Sequence, residues 1–154
     1  MAPLSFWQHT LKALSDHGFW RGMGTLHTSI YRFTGGRVGA SAGHLTHLLL
    51  TTTGRTSGAA RTVPLTYMAD GERFVLVASN GGGDRHPAWW LNLRDQPRAT
   101  AQVRDDAFTV LAHEARGDER ARIWPAIKRW NPFYAQYEQM TDRVIPVVVL
   151  TRAT

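Results

Sequence analysis

Between residues 45 and 78 the chain passes through three β-patterned stretches separated only by short polar breaks. Residues 45–53 (LTHLLLTTT) end at Gly54, and residues 61–68 (RTVPLTYM) begin soon after. An Asp-Gly turn at 69–73 then leads into residues 74–78 (FVLVA), so the second and third stretches read as a hairpin. None of these breaks can hold a crossover helix, which parallel pairing requires. Consecutive strands must therefore pair antiparallel, and a doubly wound parallel sheet is excluded.

The rest of the chain extends this pattern. Residues 99–103 and 107–114 flank Arg104-Asp105-Asp106 as a further hairpin. Residues 144–150 (VIPVVVL) are a last strand, and Pro146 near its start suggests an edge or a first position. The expectation is a mainly β protein with flanking helices (α+β), its core a meander of about six antiparallel strands closing into a sheet or barrel. Residues 86–97 read as a short helix entered at Pro87 and stopped before Pro97. Residues 117–130 read as another, with Asp118 as N-cap and Pro125 either kinking it or moving its start. A further helical turn covers 131–140. Ahead of the strands, Leu4, Trp7, Leu11 and Leu14 recur at helical spacing, as do Leu26, Ile30 and Phe33. Residues 34–44 are a glycine-rich connector. The domain reading is a lead-in over 1–44, part of the same unit, and a barrel over 45–154.

Charge narrows the partners. The net charge is +6, and of the 18 basic residues only Lys12 and Lys128 are lysines. Arginine presents a planar fork that matches phosphate and carboxylate oxygens in pairs, so an anionic partner is expected. The arginines are spread along the chain without a basic run, which argues against nucleic acid. There is no cysteine, hence no disulfide, thiolate nucleophile or Cys-ligated metal. No apolar run is long enough to span a bilayer, and the first twenty residues lack the basic head of a signal peptide. His44 and His47 have a spacing seen in metal sites, but no carboxylate joins them and no metal is expected.

Three stretches can carry chemistry. In GRTSGAAR (54–61), Arg55, Thr56, Ser57 and Arg61 are either an anion cradle or a plain solvated turn. In VASNGGGDRHPAWWLNL (77–93), consecutive glycines let backbone approach a flat ligand. Trp89 and Trp90 then either border that ligand or simply fill the core. In WNPFYAQYEQMTDR (130–143), Tyr134 and Tyr137 share a helix face, where they either pack or line a pocket.

Taken together and in this order, these stretches resemble the deazaflavin-dependent nitroreductase family, oxidoreductases that use the 8-hydroxy-5-deazaflavin coenzyme F420. The resemblance runs from about Arg37 to Leu150. It implies a split β-barrel, related to that of the flavin-binding pyridoxamine phosphate oxidases. It implies that Arg55, Thr56, Ser57 and Arg61 hold the coenzyme's phosphate, and that Val63, Pro64 and Leu65 lie along it. Ala78, Ser79, Asn80 and Gly81, with Ala88, Trp89, Trp90 and Asn92, would hold the ring. The activity implied is hydride transfer from C5 of the reduced deazaflavin to a small electron-poor acceptor, a quinone, enone or nitro compound. Ser79 and Tyr134 are the candidate proton donors or orienting groups, Tyr137 shares the face of Tyr134, and Tyr67 shares that of Leu65.

Two departures stand out. Thr56 replaces the family's common lysine, with Arg37 or Arg85 as candidates to compensate. Asn131 occupies the first of three places where tyrosines recur at three-residue spacing. The alternatives are an FMN-dependent oxidoreductase and a non-catalytic coenzyme or haem carrier on the same barrel. The expected setting is cytoplasmic, with peripheral contact at the inner face of the membrane through the apolar N-terminal helix as a further reading. Oligomeric state is left open.

Overall fold

A computed structural model describes residues 41–42 and 45–154, with side chains from Leu45 onward. The expected lead-in helices, most of the glycine-rich connector and the N-terminal membrane contact fall outside these residues, as do Arg37 and His44.

The described residues hold seven strands: β1 (Ser41–Ala42), β2 (Leu45–Thr53), β3 (Ala60–Asp70), β4 (Arg73–Val77), β5 (Arg98–Val103), β6 (Asp106–Glu114) and β7 (Val147–Arg152). Between β4 and β5 lie a 3-10 turn (Asn80–Gly82) and helix α1 (Ala88–Asp95). Helices α2 (Gly117–Trp130) and α3 (Phe133–Gln139) precede β7. All pairings are antiparallel, in the order β1-β2-β3-β4-β7-β6-β5. The ring closes where β5 returns to β2, with Leu50 opposite Ala101.

The order differs from a simple meander. The last strand enters between β4 and β6 rather than joining the edge. Its residues explain this. Val147, Val148, Val149 and Leu150 are all buried, so both faces need cover and only a central position supplies it. Pro146 lies just before the strand, where its missing N–H breaks no ladder bond, and its carbonyl accepts the Ala78 N–H at 2.9 Å.

Strand alternation divides the interior into two cores. Leu48, Leu50, Leu76, Val148 and Leu150 face the barrel interior, which Trp89, Trp90 and Leu93 of α1 share. Val75, Val147 and Val149 face the other way, under Ile123, Trp124 and Ile127 of α2 and Tyr134 of α3.

Helix α2 departs from expectation at its start. Its N-cap is Arg116, with no side-chain cap bond. Asp118 sits inside the first turn with Glu119, where negative charge complements the helix dipole. The helix passes through Pro125 without ending. The carbonyl that loses its partner there belongs to Ala121, an exposed residue that water can satisfy. Among the described residues no helix is long and apolar enough to cross a membrane.

Candidate active site

The turn joining β2 to β3 is built around Gly54. Its N–H donates to the Ala59 carbonyl at 2.8 Å, and its own carbonyl accepts the Gly58 N–H at 2.7 Å. A side chain at Gly54 would meet the Ser57 Oγ at 2.8 Å, so close approach requires glycine. Gly58 has φ +69°, which glycine adopts without strain. The Ser57 hydroxyl accepts the Ala59 N–H at 3.2 Å and keeps its own O–H to donate outward. Arg55, Thr56 and Arg61 are exposed on this turn. Neither arginine forms an ion pair among the described residues. The charge of the turn is therefore open to an anion.

Asn92 positions the turn from α1. Its Oδ1 accepts the Arg55 backbone N–H at 3.1 Å, and its Nδ2 donates to the Thr52 Oγ1 at 3.0 Å. Both Asn92 and Thr52 are buried. Asn92 thus spends its side chain on holding the turn. The rest of α1 is anchored by Trp89, Trp90 and Leu93, while Ala88 is exposed.

On β3, Val63, Leu65 and Tyr67 share one face and pack against the core that contains Ala78, Trp89 and Trp90. Tyr67 meets Phe74 edge-on at 5.2 Å. Pro64 lies on the opposite face of the strand, opposite Leu49 in the ladder.

Ala78 and Ser79 are buried where β4 runs into the loop. Asn80 has φ +49° and Gly81 φ +62°. Nothing lies within 4 Å of the position a Gly81 side chain would take, so the loop is open there. At Gly82 a side chain would strike Met140 at 3.1 Å and the Tyr137 Cα at 3.3 Å. This contact seats the loop on the C-terminal end of α3.

Tyr134 and Tyr137 belong to the second core, so the structure does not bring them together with Tyr67. They meet edge-on at 6.0 Å, with Trp130 stacked on Tyr134 and Phe133 on Tyr137. Burial, with Tyr137 adding to it, pushes the Tyr134 phenol up to about 12, and burial raises Tyr137 as well. Both are neutral phenols near pH 7, able to donate a hydrogen bond but not to act as bases. Asn131 is buried, and its Oδ1 accepts the Phe133 N–H at 3.2 Å. It therefore supports the first turn of α3, which a tyrosine could not do in the same way.

Two arrangements were not read from the sequence. One is the hold of Asn92 on the β2–β3 turn, a residue that the resemblance instead placed at the ring. The other is Arg143, which donates to the carbonyls of Ala78, Ser79 and Gly83 and to His86. An arginine in a polar loop after a helix gives no local signal of such a role.

Comparisons with known proteins agree with this architecture. A family model described as F420H2-dependent quinone reductase matches residues 24–152. An F420H2-dependent quinone reductase of Mycobacterium tuberculosis is 41% identical over 131 residues, covering 82% of this chain and 88% of the relative. The solved structure of an F420-H2 dependent reductase superposes with a TM-score of 0.62 at 37% identity, covering 68% of this chain and 93% of that one. A structure from Listeria innocua described as a pyridoxamine 5′-phosphate oxidase superposes with a TM-score of 0.50 at 15% identity, covering 84% and 94%, and shares the fold. The protein is a split-barrel oxidoreductase that belongs to the F420H2-dependent quinone reductase family.

Proposed function

We propose that this protein reduces a quinone with F420H2, binding the coenzyme across one end of the barrel. The observation that carries the reading is the β2–β3 turn, held in place by Asn92, with two exposed arginines that no carboxylate among the described residues neutralises. Arg55 and Arg61 would grip the phosphate, with Thr56 and Ser57 adding hydroxyl donors. Val63, Pro64 and Leu65 would lie along the coenzyme. Ala78, Ser79, Asn80 and Gly81 would face the ring, with Trp89, Trp90 and Ala88 beneath or beside it. The open space at Gly81 suits a flat group. Bound F420H2 supplies the hydride, and the chain's own work is position, electrostatics and proton supply. Ser79 and Tyr134 would donate or orient a hydrogen bond to the acceptor, with Tyr137 bordering it and Tyr67 on the β3 face that Val63 and Leu65 share. Enones and nitro compounds have the same electron demand as quinones and are the next acceptors to assay. Residues 1–44 belong to the same unit in this reading, since the family match begins at residue 24 and runs across residue 44.

The test is binding of oxidised F420 and, separately, FMN, followed by tryptophan fluorescence, and then menadione reduction. Micromolar F420 binding with little response to FMN, and turnover with menadione, is expected. Binding of FMN alone would replace the coenzyme assignment. Binding without turnover would leave a carrier. Tyr134→Phe and Ser79→Ala should each slow turnover about tenfold or more. If neither does, the proton comes from water and both roles are wrong.

A further inference from the structure

The loop over residues 78–86 takes its shape from a residue far along the chain. Arg143 donates its Nε–H to the Gly83 carbonyl at 2.9 Å. Its Nη2 donates to the carbonyls of Ala78 at 3.1 Å and Ser79 at 2.8 Å. Its Nη1 lies 3.2 Å from the His86 Nδ1. Arginine only donates, so this Nδ1 is the unprotonated nitrogen of a neutral imidazole. One rigid planar fork thus holds three carbonyls and one ring nitrogen.

The consequence falls on the other side of the loop. No peptide bond here is cis, and in a trans peptide the N–H points opposite the C=O. The carbonyls of Ala78 and Ser79 face Arg143, so the N–H groups of Ser79 and Asn80 face away from it. Neither N–H has a hydrogen-bond partner among the described residues. Asn80 is held at positive φ, a conformation a non-glycine residue keeps only when its surroundings impose it. The contact of Asn80 Nδ2 with the Arg85 carbonyl at 3.1 Å, and of Thr141 Oγ1 with Asp84 Oδ1 at 3.2 Å, brace the same loop.

We propose that Arg143 is the positioning residue of the coenzyme-binding loop, turning the Ser79 and Asn80 N–H groups toward the ring, and that protonation of His86 releases it. The proposal rests on the reading of residues 78–81 as the ring-holding segment. His86 lines an open cleft of about 340 Å³ with Arg94 of α1, Glu114 at the end of β6 and Arg116 at the N-cap of α2, so protons reach it. Burial, then Arg143 and Arg94, hold its proton affinity below the ordinary imidazole value of 6.5, while Glu114 opposes them. Near pH 7 the ring is neutral and accepts from Arg143. In acid it becomes a cation against a cation, and the contact is lost.

The experiment uses the full chain with oxidised F420 for binding and F420H2 with menadione for kinetics. Arg143→Lys keeps a charge but loses the fork. It should raise the Kd and KM for the coenzyme about tenfold and leave the KM for menadione unchanged. A purely structural role would instead lower the active fraction, and with it the apparent kcat, without moving either KM. In the wild type the coenzyme KM should rise in acid, at a pH below the ordinary imidazole value of 6.5. His86→Asn, which keeps an acceptor but cannot titrate, should flatten that rise. Wild-type coenzyme affinity in Arg143→Lys would overturn the positioning role. An unchanged pH profile in His86→Asn would overturn the release. Should Arg143→Lys not fold, the His86→Asn profile still tests the same contact. Gly81→Ala, made alongside, tests the ring site itself: if it too leaves F420 binding untouched, the site reading fails, not merely the role of Arg143.

Discussion

At the scale of single residues, the turn chemistry turns on charge. Arg55 and Arg61 form no ion pair among the described residues, so each can serve a ligand oxygen. A charge-assisted hydrogen bond contributes about 1.5–3 kcal/mol, and about 1.4 kcal/mol is a factor of ten. Arg61→Ala should therefore weaken F420 binding about tenfold to a hundredfold. Thr56→Lys restores the charge that the family commonly carries and should tighten binding several-fold. Both effects should shrink as ionic strength rises, because the turn is exposed. Titrations of oxidised F420 at two salt concentrations check both. Asn131 shows why a departure from a family pattern need not be a loss: its side chain is committed to the α3 backbone.

At the scale of elements, the site depends on how α1 meets the β2–β3 turn. Asn92 is the single side chain of α1 that hydrogen-bonds both Thr52 and the Arg55 backbone. Asn92→Ala leaves a buried hydroxyl and a backbone N–H unsatisfied, a loss of about 1–3 kcal/mol. It should also weaken coenzyme binding although Asn92 need not touch the coenzyme. Asn92→Asp keeps the acceptor toward Arg55 and can accept from the Thr52 hydroxyl, so it should lose less in both respects. Urea unfolding and F420 titration of the two variants separate these effects. A stability loss with unchanged affinity would show that the turn holds its shape unaided.

At the scale of the whole molecule, an ion network ties the β3–β4 hairpin to α2. Arg122 grips both oxygens of Asp70 at 3.0 Å, and Arg73 joins Asp70 to Glu119, which also meets His113 at 2.9 Å. Hydrogen bonds first from Arg122 and then from Arg73 pull the Asp70 carboxyl down from its ordinary 3.8 to about 2. A group whose folded value is depressed stabilises fully above its unfolded value and loses that contribution as pH falls through the folded one. The Tm should therefore fall between about pH 4 and pH 2 as Asp70 protonates. Asp70→Asn should lose about 1 kcal/mol near neutral pH, since Arg122 is exposed and Arg73 partly so, and solvent screens the pairs. Its Tm should fall less steeply over that acid window, which melting curves across pH would show.

The strands, their antiparallel pairing and the two-glycine arginine turn were all legible in the chain, because a strand's two faces and a turn's backbone needs are set by residues next to one another. The stretches 45–53, 61–68 and 74–78 return as β2, β3 and β4 with ends moved by at most two residues. The motif order was likewise enough to identify the family. What local pattern could not carry is any arrangement made between distant segments. The place of β7 in the barrel depends on which strands can cover both of its apolar faces. Asn92 reaches Arg55 across 37 residues, and Arg143 reaches Ala78 across 65. Local pattern was thus enough for the strands and the family. Which polar side chains are spent on holding backbone follows from the folded arrangement alone, because it depends on donors and acceptors meeting through space.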